Sequence, residues 1–449
     1  MEKRKKRGAM GLLPIGVFLV LYIGIGIATG DFYDTMPTIV AFLVALLVAF
    51  CQHRELNFEQ KMKICARGLS DENIVIMCLI FLVAGAFSGI VSAAGGVNST
   101  VNLFLSILPG KFAVVGLFII ACFISTSMGT SVGTIAALAP IGAGIAQTAG
   151  FPLAICIAAV VCGAMFGDNL SIVSDTTIAA VRTQGCEMKD KFKTNFLIVL
   201  PAAILTAILF FFFTPEGNPA LEVGTYNLLQ VLPYLIVLVG ALIGINVFIV
   251  LIAGILSSAV IGLATGTLAL NQIFSVMFKY SYEISGSARS AGIADMYDIT
   301  VITIVVTCIG ALVKEYGGID AVIGFIRRRI KSKKGAQLGI AALVAGVDVA
   351  TANNTVAIVM TGPLAKEIAE EYDIPAKKSA SLLDIFASVV QGLIPYGAQL
   401  LYAVAACGGA ISAMQIIPYL FYPMLMAVSA VLFIVFGKKD VKAKKKSRA

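Results

Sequence analysis

The chain has 449 residues, of which 59% are hydrophobic and 13% charged, about half the charged fraction of a soluble domain. Its mean hydropathy of +0.95 comes from recurring apolar runs of membrane-spanning length, which excludes an ordinary soluble enzyme; the absence of short alternating segments excludes a transmembrane β-barrel. The net charge of +8 lies beside those runs, so it points to a lipid bilayer as partner and not to nucleic acid, and a single histidine (His53) excludes a Ser-His-Asp triad or a histidine metal site.

In chain order, residues 1–11 form a basic segment ahead of a first span at 12–29. That run is long enough to cross and lacks a convincing small-residue cleavage site, so it reads as a retained helix. Spans at 36–52 and 73–95 follow, then a paired apolar segment at 111–147, a broken span at 151–182 and a span at 194–213. A connecting loop at 214–227 precedes a second series: 228–243, 246–266, 298–316, a paired segment at 335–370, a broken span at 379–410, and 416–436. A basic tail, 437–449, closes the chain. Nine scattered cysteines form no CxxC pair and read as small buried hydrophobes.

The two series resemble one another. Gly85-Ala-Phe-Ser-Gly-Ile-Val-Ser-Ala-Ala-Gly95-Gly96-Val97 matches Gly310-Ala-Leu-Val-Lys-Glu-Tyr-Gly317-Gly318-Ile319, and Thr130 then aligns with Thr351, an offset of 222 and then 221 residues. Repeats 12–213 and 228–436, each with an odd number of spans, insert in opposite directions. With the N-terminus cytoplasmic, the inside loops carry 30 of the 33 Lys and Arg residues and leave only Lys111, Lys279 and Arg289 elsewhere. The expected fold is an all-α polytopic protein of the bacterial inner (cytoplasmic) membrane with both termini cytoplasmic. It is built from two inverted repeats, each of about five transmembrane helices plus a re-entrant or paired helical hairpin, with broken helices at the midplane.

Polar clusters interrupt the most apolar parts. Thr130, Ser131 and Thr134 lie at the turn of the first paired segment; Asp348, Thr351, Asn353, Asn354 and Thr355 lie at the second. Hydroxyls, amides, carboxylates and carbonyls freed by a helix break are what a hard cation such as sodium wants. The competing reading is a packing face of small residues between helices.

Asp168 and Asp175 sit seven residues apart in Gly167-Asp-Asn-Leu-Ser-Ile-Val-Ser-Asp-Thr-Thr177. Both would share a face if the segment stayed helical, but Ser171, Ser174, Thr176 and Thr177 suggest partial unwinding, and Asn169 lies beside them. Two acids in a low-dielectric site repel, so one takes up a proton; a bound cation expels it, which is a minimal scheme for cation–proton exchange. Either acid could instead cap a helix. Asp384 and Asp348 have no Lys or Arg within their own spans, so no structural ion pair is expected for them. Gly392, Pro395 and Gly397 indicate a second helix broken in place, and Asp384, Tyr396 and Gln399 join the candidate ion- and substrate-binding residues there. Asp298 reads as an N-cap. An intramembrane aspartyl protease would pair Tyr297-Asp298 with Gly167-Asp168, but Met165 stands where that motif needs Gly and the two motifs come in reverse order.

At Gly129-Thr-Ser-Val-Gly-Thr134, Val161-Cys-Gly-Ala-Met-Phe-Gly-Asp168 and Leu170-Ser-Ile-Val-Ser-Asp-Thr-Thr177 the chain resembles the NhaC family of sodium/proton antiporters, within the ion-transporter superfamily of inverted-repeat carriers. The resemblance covers most of the chain and implies sodium exchange for protons, with sodium at Asp168, Asp175, Thr130 and Ser131, no enzymatic activity and no cofactor beyond the transported ions. Ile172 stands where the family often has Pro, and Val132 and Tyr396 stand where it has Trp-containing segments. Similar carriers move organic acids or amino acids, so coupled transport of a small carboxylate or amino acid is the alternative. The sequence leaves the oligomeric state open, a homo-oligomer included.

Overall fold

A computed structural model describes residues 8–29, 37–108, 110–171, 174–216, 224–243, 245–284 and 287–436. Residues 1–7 of the basic N-terminus, the tail 437–449, residues 217–223 of the connecting loop and Ile172 of the first break lie outside them.

The described chain is helical almost throughout. The first half contains α1 (Leu13–Thr29), α2 (Thr38–Cys51), α3 (Phe58–Leu69), α4 (Glu72–Ala93), α5 (Gly96–Ile107), α6 (Phe112–Met128), α7 (Ser131–Ala149), α8 (Leu153–Leu170), α9 (Asp175–Gln184) and α10 (Met188–Phe213). The second contains α11 (Leu228–Leu242), α12 (Val247–Ala264), α13 (Ile273–Phe278), α14 (Tyr297–Glu315), α15 (Gly318–Arg327), α16 (Lys333–Thr351), α17 (Asn354–Glu371), α18 (Ala376–Leu393), α19 (Ala398–Ala406), α20 (Ala413–Ile416) and α21 (Phe421–Phe436). Among the described residues five helices are individually long and apolar enough to cross a membrane, and eight if each of three bent pairs counts as one span.

Three differences from the sequence expectation stand out. A two-stranded antiparallel ribbon, β1 (Tyr280–Ile284) with β2 (Ser287–Ala291), lies between α13 and α14, so the chain is not purely helical. The short helices α3, α5 and α15 lie in segments read as connections between spans, because each is amphipathic and its polar face keeps it from reading as an apolar run. Helix α10 starts at Met188, ahead of the expected 194, and carries Lys189, Lys191 and Lys193 into its first two turns.

Backbone conformations recur between the halves. The paired segments turn at Gly129 (φ 69°, ψ 25°) and at Ala352 (φ 51°, ψ 30°), both left-handed, and the next residues, Thr130 and Asn353, share an extended φ of −149°. Helices α8 and α18 each have 18 residues, start after Pro152 and Pro375, and give way to extended Ser171 and Ile394. The offset is therefore 223 residues. Thr130 corresponds to Asn353 and Asp168 to Gln391, which corrects the sequence alignment of Thr130 with Thr351. The structural reason is the shared task. Thr130 and Asn353 each cap the helix that follows, by accepting the Gly133 and Val356 amides at 3.4 and 2.9 Å, and residues of different type can do that equally.

The core is built around α8, where Ile155 to Met165 are all buried. A helix apolar all round has to be wrapped on every side, and α6, α7, α10 and α21 supply the cover. A Cβ at Gly163 would fall 2.4 Å from the Phe118 carbonyl and one at Gly167 2.4 Å from the Thr126 nitrogen, so α6 and α8 touch backbone to backbone just before Asp168. The halves interlock beyond the breaks: α9 leaves the first half to pack on α17 and α18, while α19 leaves the second to pack on α7.

Candidate ion site at the helix breaks

The first break spans residues 171–174. Helix α8 stops at Leu170, Ser171 and Ser174 are extended, and α9 restarts at Asp175. Asp168 and Asp175 thus sit at the two facing ends of a broken helix instead of on one helical face. Asp168 is buried at 5% exposure; its Oδ1 accepts from Ser174 Oγ at 2.7 Å, and Ser174 Oγ lies 2.9 Å from Thr176 Oγ1. The Ser131 hydroxyl at the start of α7 bonds the same carboxylate and accepts from Gln399 Nε2 of α19 at 3.1 Å.

Asp175 is exposed. Its Oδ1 accepts from the Thr176 amide at 2.9 Å, at the start of α9, and its Oδ2 accepts from Thr355 Oγ1 of α17 at 2.6 Å. Asp168 and Asp175 interact electrostatically, and each also feels Asp384. Two carboxylates lie here among serine and threonine hydroxyls. Hydroxyl groups of this kind can donate a hydrogen bond to a carboxylate or turn a lone pair toward a hard cation.

Asp384 contradicts the sequence expectation. It is fully buried on α18, and Lys191 Nζ of α10 lies 2.7 Å from its Oδ2. Lys191 also donates to Thr177 Oγ1 (2.6 Å) and to the Asn169 carbonyl (3.1 Å), so all three ammonium protons are placed. Asn195, one turn further along α10, donates to Asp384 Oδ2 at 2.8 Å and to the Asn169 carbonyl at 3.0 Å, and accepts from Ser381. That carbonyl is one the helix break frees. Lys191 and Asn195 escaped the sequence reading because a lysine near a basic loop counts there as a cytoplasmic charge. Their spacing of four, which puts both on one face of α10, was the available signal.

The remaining expected ligands divide. Thr134 is buried, with its hydroxyl on the Thr130 carbonyl at 2.9 Å, and Ser171 is buried at the break. Asn169 points its amide at Met165 O and Tyr422 Oη, away from the acids. Thr351 returns its hydroxyl to Val347 O, while the Asn353 and Asn354 amide oxygens accept backbone amides at the start of α17; only Thr355 of that cluster reaches an acid of the first half. Tyr396, edge-on to Phe18 and Phe42, donates to the Val349 carbonyl at 2.7 Å. Asp348 is fully buried, and among the described residues no donor completes a hydrogen bond to either of its oxygens. Among the described residues no three acidic, cysteine or histidine side chains converge on one point. Helix α14 begins at Tyr297, so Asp298 lies inside its first turn and not before it; the Asp298 side chain is outside the described residues.

A vestibule of about 410 Å³ runs from Arg67, Asp71 and Lys314 to Thr351 and Asn353, and so connects the charged ends of α3 and α14 to the second turn.

The sequence profile of the Na+/H+ antiporter family matches residues 6–214 and 218–438, which takes in every residue of this site. The chain belongs to the Na+/H+ antiporter family. Among its relatives, the Na(+)/H(+) antiporter NhaC of Alkalihalophilus pseudofirmus is 24% identical, covering 97% of this chain and 96% of that protein. NhaC of Bacillus subtilis is 25% identical over 95% and 97%, and the Malate-2H(+)/Na(+)-lactate antiporter of the same organism 20% identical over 95% and 94%. Among solved structures, the YdaH transporter of Alcanivorax borkumensis matches with a TM-score of 0.40 at 12% identity, covering 95% of this chain and 97% of that one. The chain is thus a transmembrane antiporter of the NhaC type.

Proposed function

We propose that this antiporter exchanges sodium for protons by competition at the Asp168–Asp175 pair. The observation that carries the reading is the pairing of two acids across the break, each already held by hydroxyls: Ser174 and Ser131 on Asp168, Thr355 on Asp175. With no ion bound, repulsion between the acids is relieved by a proton; sodium replaces that proton and draws the same hydroxyl oxygens into its shell. Thr130 lies at the edge of this set. Lys191 pairs with Asp384, so the acids at this break without a basic partner are Asp168 and Asp175.

Two inverted repeats, with both termini and the charged mouth of the vestibule on the cytoplasmic side, complete the scheme. Interlocked breaks supported by opposite halves favour alternating access over a continuous pore. Carboxylate or amino-acid exchange is the weaker reading, because Lys191, the cation buried at the site, already commits its three protons to Asp384, Thr177 and Asn169.

The test is flux in proteoliposomes under an imposed pH gradient, with sodium, lithium or potassium, and with and without candidate carboxylates and amino acids. Proton movement driven by sodium alone is expected. Movement only when an organic solute is added would replace the reading with the second one.

A further inference from the structure

Asp348 stands apart from the pair described above. It lies on α16, fully buried, and neither carboxylate oxygen has a hydrogen-bond donor among the described residues. Its electrostatic surroundings include none of Asp168, Asp175 and Asp384. The backbone amide of Gln391 on α18 faces it without completing a hydrogen bond, and the Gln391 side chain has its Nε2 committed to the Ala352 carbonyl at 3.1 Å and its Oε1 without a donor among the described residues. Tyr396 feels the charge of Asp348, and it gives its hydroxyl proton to the Val349 carbonyl instead.

An ionised carboxylate with neither counter-ion nor donor is several kcal/mol too costly to hold in such a place, so it needs a proton or a cation. Sodium would require several converging oxygens, and among the described residues no three acidic, cysteine or histidine side chains converge here. Gln391 also occupies the position of Asp168 in the 223-residue register, and Asp348 that of Ser125. The acid has therefore moved to the opposite helix of the pair in the second half.

We propose that Asp348 is a second proton-carrying group, separate from the sodium-binding pair, and that it loads and unloads through the vestibule that reaches Thr351 one turn away. This rests on the sodium-for-proton reading above. In the closed arrangement the proton is held as a carboxylic O–H. When the helices part, it passes to a water molecule entering from the vestibule, and the carboxylate left behind is stabilised by hydration. Closure returns a proton from water and restores the neutral acid. Asp348 is thus charged only while water reaches it, which ties its proton to the motion of α16 against α18.

The experiment compares wild type, Asp348→Asn and Asp348→Glu in proteoliposomes, reading sodium-driven proton movement and, separately, radiolabelled sodium counterflow with sodium on both sides. Asp348→Asn is expected to keep sodium counterflow and to lose proton movement by about 100-fold, the scale of removing a proton-transfer group. Asp348→Glu restores proton movement with a shifted pH profile. Wild-type proton movement in Asp348→Asn overturns the proposal, as does loss of counterflow together with proton movement, which would make Asp348 part of the sodium site. Should Asp348→Asn fail to insert, Asp348→Glu decides: a shifted profile supports the proposal and an unchanged one overturns it. Absence of sodium-driven proton movement in the wild type would instead sink the exchange reading itself.

Discussion

Lys191 on α10 and Asp384 on α18 form an ion pair of 2.7 Å with side-chain exposures of 1% and 0%. It joins the two halves and at the same time ties down the Asn169 carbonyl and Thr177, one on each side of the first break. Removing one member leaves a buried charge unpaired, at a cost of about 3–5 kcal/mol. Lys191→Gln is therefore expected to lower the thermal unfolding midpoint sharply, and Lys191→Gln/Asp384→Asn to recover much of the loss. A single variant as stable as wild type would mean that the pair holds nothing together.

Asp168→Asn and Asp175→Asn should each abolish sodium-driven proton movement in sealed vesicles while leaving the protein in the membrane. The amide keeps the size of the acid and one acceptor oxygen but has neither the charge nor a titratable proton. Full exchange in both variants would remove the proposed site.

Thr355 is the hydroxyl that the second half lends to Asp175, at 2.6 Å. In the proposed exchange the same hydroxyl oxygen turns to the bound sodium, so Thr355→Val, which removes that oxygen, should raise the half-saturating sodium concentration by about tenfold or more. Thr355→Ser keeps the donor and should stay near wild type. Sodium titrations of transport initial rate separate the two.

Ala352 holds a left-handed conformation (φ 51°) where the first half has Gly129 (φ 69°). That region costs an L-residue about 1 kcal/mol or more, which glycine avoids. Ala352→Gly is expected to stabilise the protein by about 0.5–1 kcal/mol and Gly129→Ala to destabilise it by about as much. Thermal unfolding in detergent reads both signs, and a destabilising Ala352→Gly would contradict the strain.

The helix breaks were legible because hydroxyls and acids are conspicuous within apolar runs. Ser171 and Ser174 sit at the unwound residues, and Asp168 and Asp175 bracket them. The second cluster was legible as a turn but misaligned by two residues, since similarity of side chains paired Thr130 with Thr351 while capping geometry pairs it with Asn353. Asn353 and Asn354, expected as cation ligands, use their oxygens on the backbone of α17, because a helix start leaves amides that must be answered.

The amino-acid sequence by itself determined the membrane class, the order of apolar spans, the two interrupted segments and the acids within them, since hydropathy and the cost of polar groups in hydrocarbon are local properties. Only the tertiary structure decided which acids meet. Asp168 faces Asp175 across a gap, Asp384 is answered by Lys191 at a separation of 193 residues, and Asp348 meets no hydrogen-bond donor among the described residues. Those outcomes depend on where α9 and α19 cross between the halves, and so on packing between segments about 200 residues apart, which no local pattern encodes.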